Sequence, residues 1–169
     1  MKNITKIIAL AFVVVGFSNA VNAQSTASAS ASATIVTPIS ITKTVDLDFG
    51  NVAASGVAGT VVITPAGTRS TTGGVSLPVT PGTVTAASFN VAGQGNYTYA
   101  ITLPASVTIS SGANNMTVNA FSSNPATTGT LSAGGTQTIG VGATLNVNAS
   151  QAAGTYTSAT PFDVTVNYN

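Results

Sequence analysis

The chemistry open to this chain rests on very few side chains. Its acids are Asp46, Asp48 and Asp163, its bases Lys2, Lys6, Lys43 and Arg69, and it has no histidine, cysteine or glutamate. The usual general bases, thiolate nucleophiles and soft metal ligands are therefore missing. A paired-carboxylate hydrolase would need Asp163 to meet Asp46 or Asp48 across a cleft. A Ser–Lys arrangement would need Lys43, which stands alone in a strand-like segment. No spacing suggests either, so the chain is read as a non-enzyme that takes no cofactor.

Smaller signals lead the same way. Asp48-Phe49-Gly50 matches a kinase tripeptide, but the rest of that signature set is missing. Asp46 and Asp48 share one face of a strand, and two carboxylates fall short of the roughly six to eight oxygens of a calcium site. They read as solvent-facing charges that discourage edge pairing, not as metal ligands. Thr-x-Thr begins at Thr42, Thr83, Thr136 and Thr155, spacings too irregular for a flat ice-binding array. Asn96, Asn115 and Asn148 open glycosylation sequons by pattern and read as surface turn residues.

These residues are set in an exported chain. Lys2 and Lys6 precede an apolar run, Ile7 to Phe17, and a small-residue site at Val21 to Ala23. Residues 1–23 are thus expected to be a secretory signal peptide, with the mature protein beginning near Gln24 and no membrane insertion after its removal. The expected location is the periplasm, the cell surface or the medium. The remaining charges are two bases against three acids, which leaves no basic footprint for nucleic acid or anionic lipid. Without disulfides, stability must come from a packed core and backbone hydrogen bonds.

The elements that must supply them are strands. Ile139, Val141, Leu145 and Val147 alternate with Gly and Asn; Tyr97, Tyr99, Ile101 and Leu103 alternate with Thr and Ala. Phe162, Val164, Val166 and Tyr168 repeat the period of two at the C-terminus. Gly59–Pro65, Gly73–Pro78 and Thr83–Ala92 also read as strands, separated from the others by turn clusters such as SSGANN and SSNPATTG. No amphipathic helix is seen after Gln24. The fold class is all-β, a sandwich or barrel.

Alternation also reaches the new N-terminus. Ala27, Ala29, Ala31, Ala33 and Ile35 share one face, with Ser28, Ser30, Ser32 and Thr34 between them, and Ile39 and Ile41 continue it. This reads as a strand rather than a linker. Lys43 interrupts the series and Pro38 lacks an N–H, so a bend or bulge belongs there. Residues from Ala31 are expected to pair within a single sandwich domain, 31–169, leaving 24–30 as a short arm. Pairing with a neighbouring molecule is the alternative.

Three stretches carry a family likeness: SATIVTPISITKTVDLDFGNV, GTLSAGGTQTIGVGATLNV and AAGTYTSATPFDVTVNYN. They resemble domain-of-unknown-function family 4402, found in exported proteins of Gram-negative bacteria. That family is in turn similar to the spore coat protein U group and to subunits of archaic chaperone–usher pili. The shared framework is an alternating first strand, a hydrophobic-Asp-Phe-Gly step (Leu47 to Gly50), and a last element containing Gly154, Tyr156, Val164, Val166 and Tyr168. The present chain lacks the cysteine pair that such pilins usually carry.

The resemblance implies an immunoglobulin-like antiparallel sandwich completed by a donor strand. It implies a structural subunit of a fibre, pilus or surface coat, with copies of itself or related surface subunits as partners, and it admits a periplasmic chaperone. Assembly contacts would fall on Ala27, Ala29, Ala31, Ala33 and Ile35 and on Phe162, Val164, Val166 and Tyr168. Burying a methyl contributes roughly 0.8 kcal/mol against about 1.5–3 for Val, Leu or Phe, so the alanines alone would grip a groove weakly. The second reading is a monomeric adhesion or glycan-binding sandwich presenting the loop aromatics Tyr97, Phe121 and Tyr156.

Overall fold

The computed structural model describes residues 24–169. The expected signal peptide, residues 1–23, lies outside them. Residues up to Thr34 and Ile35–Asn169 form separate units. In the first, Gln24–Thr34 carries no strand and is exposed throughout.

The second unit is all-β. Its strands in chain order are β1 (Ser40–Val45), β2 (Ala53–Ile63), β3 (Arg69–Ser76), β4 (Ala87–Ala92), β5 (Thr98–Thr102), β6 (Ser106–Ser111), β7 (Asn114–Asn124), β8 (Thr128–Thr130), β9 (Thr136–Val147) and β10 (Thr165–Tyr168). They form two antiparallel sheets. The larger runs β1-β4-β9-β2-β3, with β7 also on β9 and β6 on β7; the smaller runs β10-β5-β8. This is a β-sandwich.

β9 is the spine of the larger sheet. Leu145 lies between Val61 of β2 and Val118 of β7, and Val141 between Ala87 of β4 and Ser123 of β7. So β7 follows one edge of β9, while β4 and β2 lie end to end along the other. The handover falls at Gly142, between Val141, opposite Ala87, and Ala143, opposite Ile63.

Every odd residue of β9 from Ile139 to Val147 is buried, as its alternation requires. The core along this face falls into two clusters. One joins Phe89, Val91, Ile139 and Val141 to Tyr99, Ile101 and Val166 of the smaller sheet. The other joins Val61, Ile63, Met116, Val118, Leu145 and Val147 to Phe49. Leu47 and Phe121 pack against both. Among the described residues, only the first cluster has a sheet on its far side.

One sequence expectation is corrected here. The first strand does not include Ala31 to Ile39: the ladder begins at Ser40, opposite Ala92. Pro38 has no N–H to extend it, and the carbonyl of Thr37 accepts from the Tyr168 hydroxyl at 2.8 Å instead. All ten strands lie in the compact unit Ile35–Asn169. The break at Lys43 does mark a register shift, between Lys43 and Val45.

Tyr99 gives the fold a pH response. Its ring is wholly buried and its hydroxyl donates to Gln137 Oε1 at 2.7 Å, and burial holds its pKa above the ordinary phenol value. A raised folded pKa means that stability is complete below the unfolded value, about 10, and falls as pH rises through the folded one. Urea midpoints are expected to hold level through neutral pH and drop from about pH 10. In Tyr99→Phe that alkaline drop should shrink; an undiminished drop would assign it elsewhere.

Candidate functional site: an uncovered half of the sandwich

Among the described residues no sheet lies above the second core cluster. Irregular segments lie there instead: Leu47, Phe49 and Val52 from one, Val84 and Ala86 from another, and Tyr156 from a third. Between them is an open cleft of about 1020 Å³. Its floor is the apolar face of β6, β7 and β9, with Val107, Ile109, Met116, Val118, Leu145 and Val147.

One wall is the segment Asp46–Asn51, zipped to Thr80–Thr85. Asp48 and Thr85 exchange backbone hydrogen bonds (2.9 and 3.0 Å), the Thr85 hydroxyl donates to Asp46 O (2.8 Å), and Asn51 N–H donates to Pro81 O (2.6 Å). The turn at Gly50 takes φ +68°, and a Cβ there would meet Pro81 O and lie 2.7 Å from Val84 Cγ2, so only glycine fits. Asp48 Oδ1 accepts the Gly50 N–H at 2.8 Å. From β3, Arg69 Nη1 donates to the carbonyls of Phe49 (2.7 Å) and Asn51 (3.1 Å).

The Asp-Phe-Gly tripeptide thus has a structural job: it turns the chain so that Phe49 faces the core. Asp46 stays in solvent, where it meets Lys43 Nζ at 2.6 Å. Such an exposed pair contributes little.

The opposite wall is the segment following β9. Gln151 Nε2 donates to Asn115 O (3.3 Å) and to the Tyr156 hydroxyl (2.8 Å), and that hydroxyl donates to Ala152 O (2.7 Å). Thr157 exchanges backbone hydrogen bonds with Ser110 of β6 at 2.9 and 3.1 Å.

The model of a domain of unknown function, DUF4402, matches residues 39–168. The chain belongs to the DUF4402 family. The match begins where the described chain starts to pair and includes both walls of the cleft. Neither the curated proteins nor the solved structures provide a match.

In this DUF4402 domain the sequence-derived site residues are dispersed. Ala27, Ala29, Ala31, Ala33 and Ile35 are exposed and unpaired, with Ile35 92% exposed. Val164 and Val166 are core residues of the domain itself. Phe162 borders the cleft and stacks on Phe121 at 4.9 Å. Tyr168 bridges inward, its hydroxyl accepting from Gln94 N–H (2.6 Å) and donating to Thr37 O.

The three aromatics form no common patch. Tyr97 is exposed and rests on the Tyr168 ring at 5.7 Å. Phe121 lies on a strand, half-buried between the two clusters, and Tyr156 is half-buried with its hydroxyl already engaged. Sequence reasoning missed the role of Arg69 and, in the segment it marked through Gly154 and Tyr156, the bridge from Thr157 to Ser110. Neither contact has a local signal, because its partner lies far along the chain.

Proposed function

We propose that this protein is an exported, non-enzymatic structural subunit, and that copies join by strand addition into a surface fibre or coat. The carrying observation is the open cleft over the second core cluster, framed by irregular segments instead of a sheet. Met116 and Leu145 are already buried, but Val107 and Ile109 beside them are only half-buried, and they contribute most when a further element lies over them. An extended peptide matches that need, adding backbone hydrogen bonds and alternate side chains.

The occupant is the N-terminal segment of another copy. Gln24–Ile39 joins no ladder and is uncharged, and it alternates from Ala27 to Ile35, which is 92% exposed. Its exit is fixed by the Tyr168 hydroxyl and by Thr37 N–H donating to Gln94 Oε1 at 3.3 Å. Gln94 follows β4, which ends opposite Thr136, the first residue of β9; the cleft lies over Leu145 and Val147 at the other end. Exit and cleft at opposite ends give a head-to-tail contact, which propagates as an open fibre. An immunoglobulin-like, pilin-like sandwich completed by a donor strand is the form this reading takes.

The test is an unheated SDS gel of protein sheared from producing cells, beside a boiled control. Wild type is expected to give a ladder that collapses to one band on boiling. Deleting Gln24–Thr34 should leave only monomer, with the melting temperature of the monomer unaltered. A single monomer band from wild type in both lanes would sink the proposal and leave a self-contained binding sandwich.

A further inference from the structure

The cleft is open, but the strand edge beside it is partly taken. Since Ser110 directs its N–H and C=O outward to Thr157, the period of two in an antiparallel strand directs those of Ser106 and Thr108 outward as well. Among the described residues no strand other than β7 pairs with that stretch of β6, so its outer edge carries no ladder. The outer strands β1 and β3 contribute nothing to the cleft lining, whereas β6 contributes Val107 and Ile109. So β6 is the edge on which an incoming backbone finds both ladder partners and the apolar floor.

Building on the assembly reading above, we propose that β6 is the acceptor edge for the N-terminal segment of a second copy, and that the strap Gln151–Ser158 must leave Ser110 for the strand to seat. Ser106 to Thr108 alone offers a strand of three residues, too short to cover a floor that runs on through Ile109 and Met116. The edge beyond is closed by one isolated bridge, Ser110–Thr157, and the strap between Ala152 and Thr155 is exposed. The incoming strand replaces that two-bond bridge with a continuous ladder, and its inward side chains, Ile35 among them, meet the floor. The strap therefore sets the rate of assembly, while the floor sets its stability.

The chain has no cysteine, which makes a disulfide lock clean. A hydrogen-bonded antiparallel pair has Cα atoms about 5.5 Å apart, within disulfide range. The test is the Ser110→Cys/Thr157→Cys variant, followed on unheated gels with and without reductant. The reduced form is expected to assemble as wild type does, and the oxidised form at least about ten-fold more slowly, recovering on reduction. Equal assembly in both states overturns the strap proposal and leaves the assembly reading intact. A wild type that never assembles overturns both.

Hydrogen exchange on wild-type chain covers the case of a variant that misfolds. The amides of Ser106 and Thr108 should exchange freely in monomer and gain at least about a hundred-fold protection in the assembled form. Unchanged exchange at both amides places the acceptor edge elsewhere.

Discussion

Replacing Gly142 by alanine is expected to cost about 3 kcal/mol, near the upper end of what overpacking a core exacts. For a domain of this size that is a fall in melting temperature of about 10 °C. A Cβ at Gly142 would meet the carbonyl oxygen of Ile63 and lie 2.5 Å from Thr64 C and 2.8 Å from Pro65 N. All three are backbone atoms, and the strand carrying them is fixed from Gly59 to Ile63 by its ladder with β9. No rotamer change relieves the clash. The cost arises because the end of β2 must turn away against β9 at the place where β4 takes over the same edge. Gly56→Ala is the control: nothing lies within 4 Å of its added Cβ, so its midpoint should stay within about 0.5 kcal/mol of wild type. Denaturant melts of the two variants side by side decide the matter, and equal midpoints would refute a close backbone approach at the handover.

Much of this arrangement was legible in the chain. Ile139 to Val147 shows its buried face by alternation, because a strand covered on one face must place apolar groups at every second position. Tyr99, Ile101 and Val166 reach the core for the same reason. Leu47 to Gly50 stood out through the resemblance, and the reason is now physical: a turn with positive φ that aims Phe49 inward.

The failures share one cause. Ala27 to Ala33 alternate as well as any strand, yet period says which residues share a face and not whether a partner lies beside them. Alanine and serine bury or expose at little cost, so the pattern cannot decide it. β8, only Thr128–Thr130, overlaps the end of the turn cluster SSNPATTG, and three residues carry too little periodicity to register. Arg69 lies 20 residues from the carbonyl it holds, and the strap at Thr157 meets Ser110 across three intervening elements. The cleft itself is an absence of cover, which no residue type encodes.

Arg69 is the position where that invisible geometry is most exposed to test. Removing its side chain as Arg69→Ala should cost about 2–3 kcal/mol, since hydrogen bonds from a charged donor contribute about 1.5–3 each and the one to Asn51 O is solvent-exposed. The larger share is the bond to Phe49 O, which is partly buried and would lose its donor. Arg69→Lys should recover part of this, because one ammonium can reach either carbonyl but lacks the planar fork. The local consequence separates a wall effect from a general loss of packing. With Phe49 O and Asn51 O released, the segment Asp46–Asn51 is held by Thr80–Thr85 alone, so the Asn51 amide, bonded to Pro81 O, should exchange far faster. The amides of β9 at Ile139 and Val141, in the other cluster, should slow or quicken only with the global stability. An Arg69→Ala chain that melts with wild type, or one in which Asn51 and Ile139 lose protection equally, would show that the guanidinium does not hold the wall. If Asn51 alone loosens, the wall of the cleft is a separately stabilised element, and Arg69 sets how rigidly the apolar floor is framed for an incoming strand.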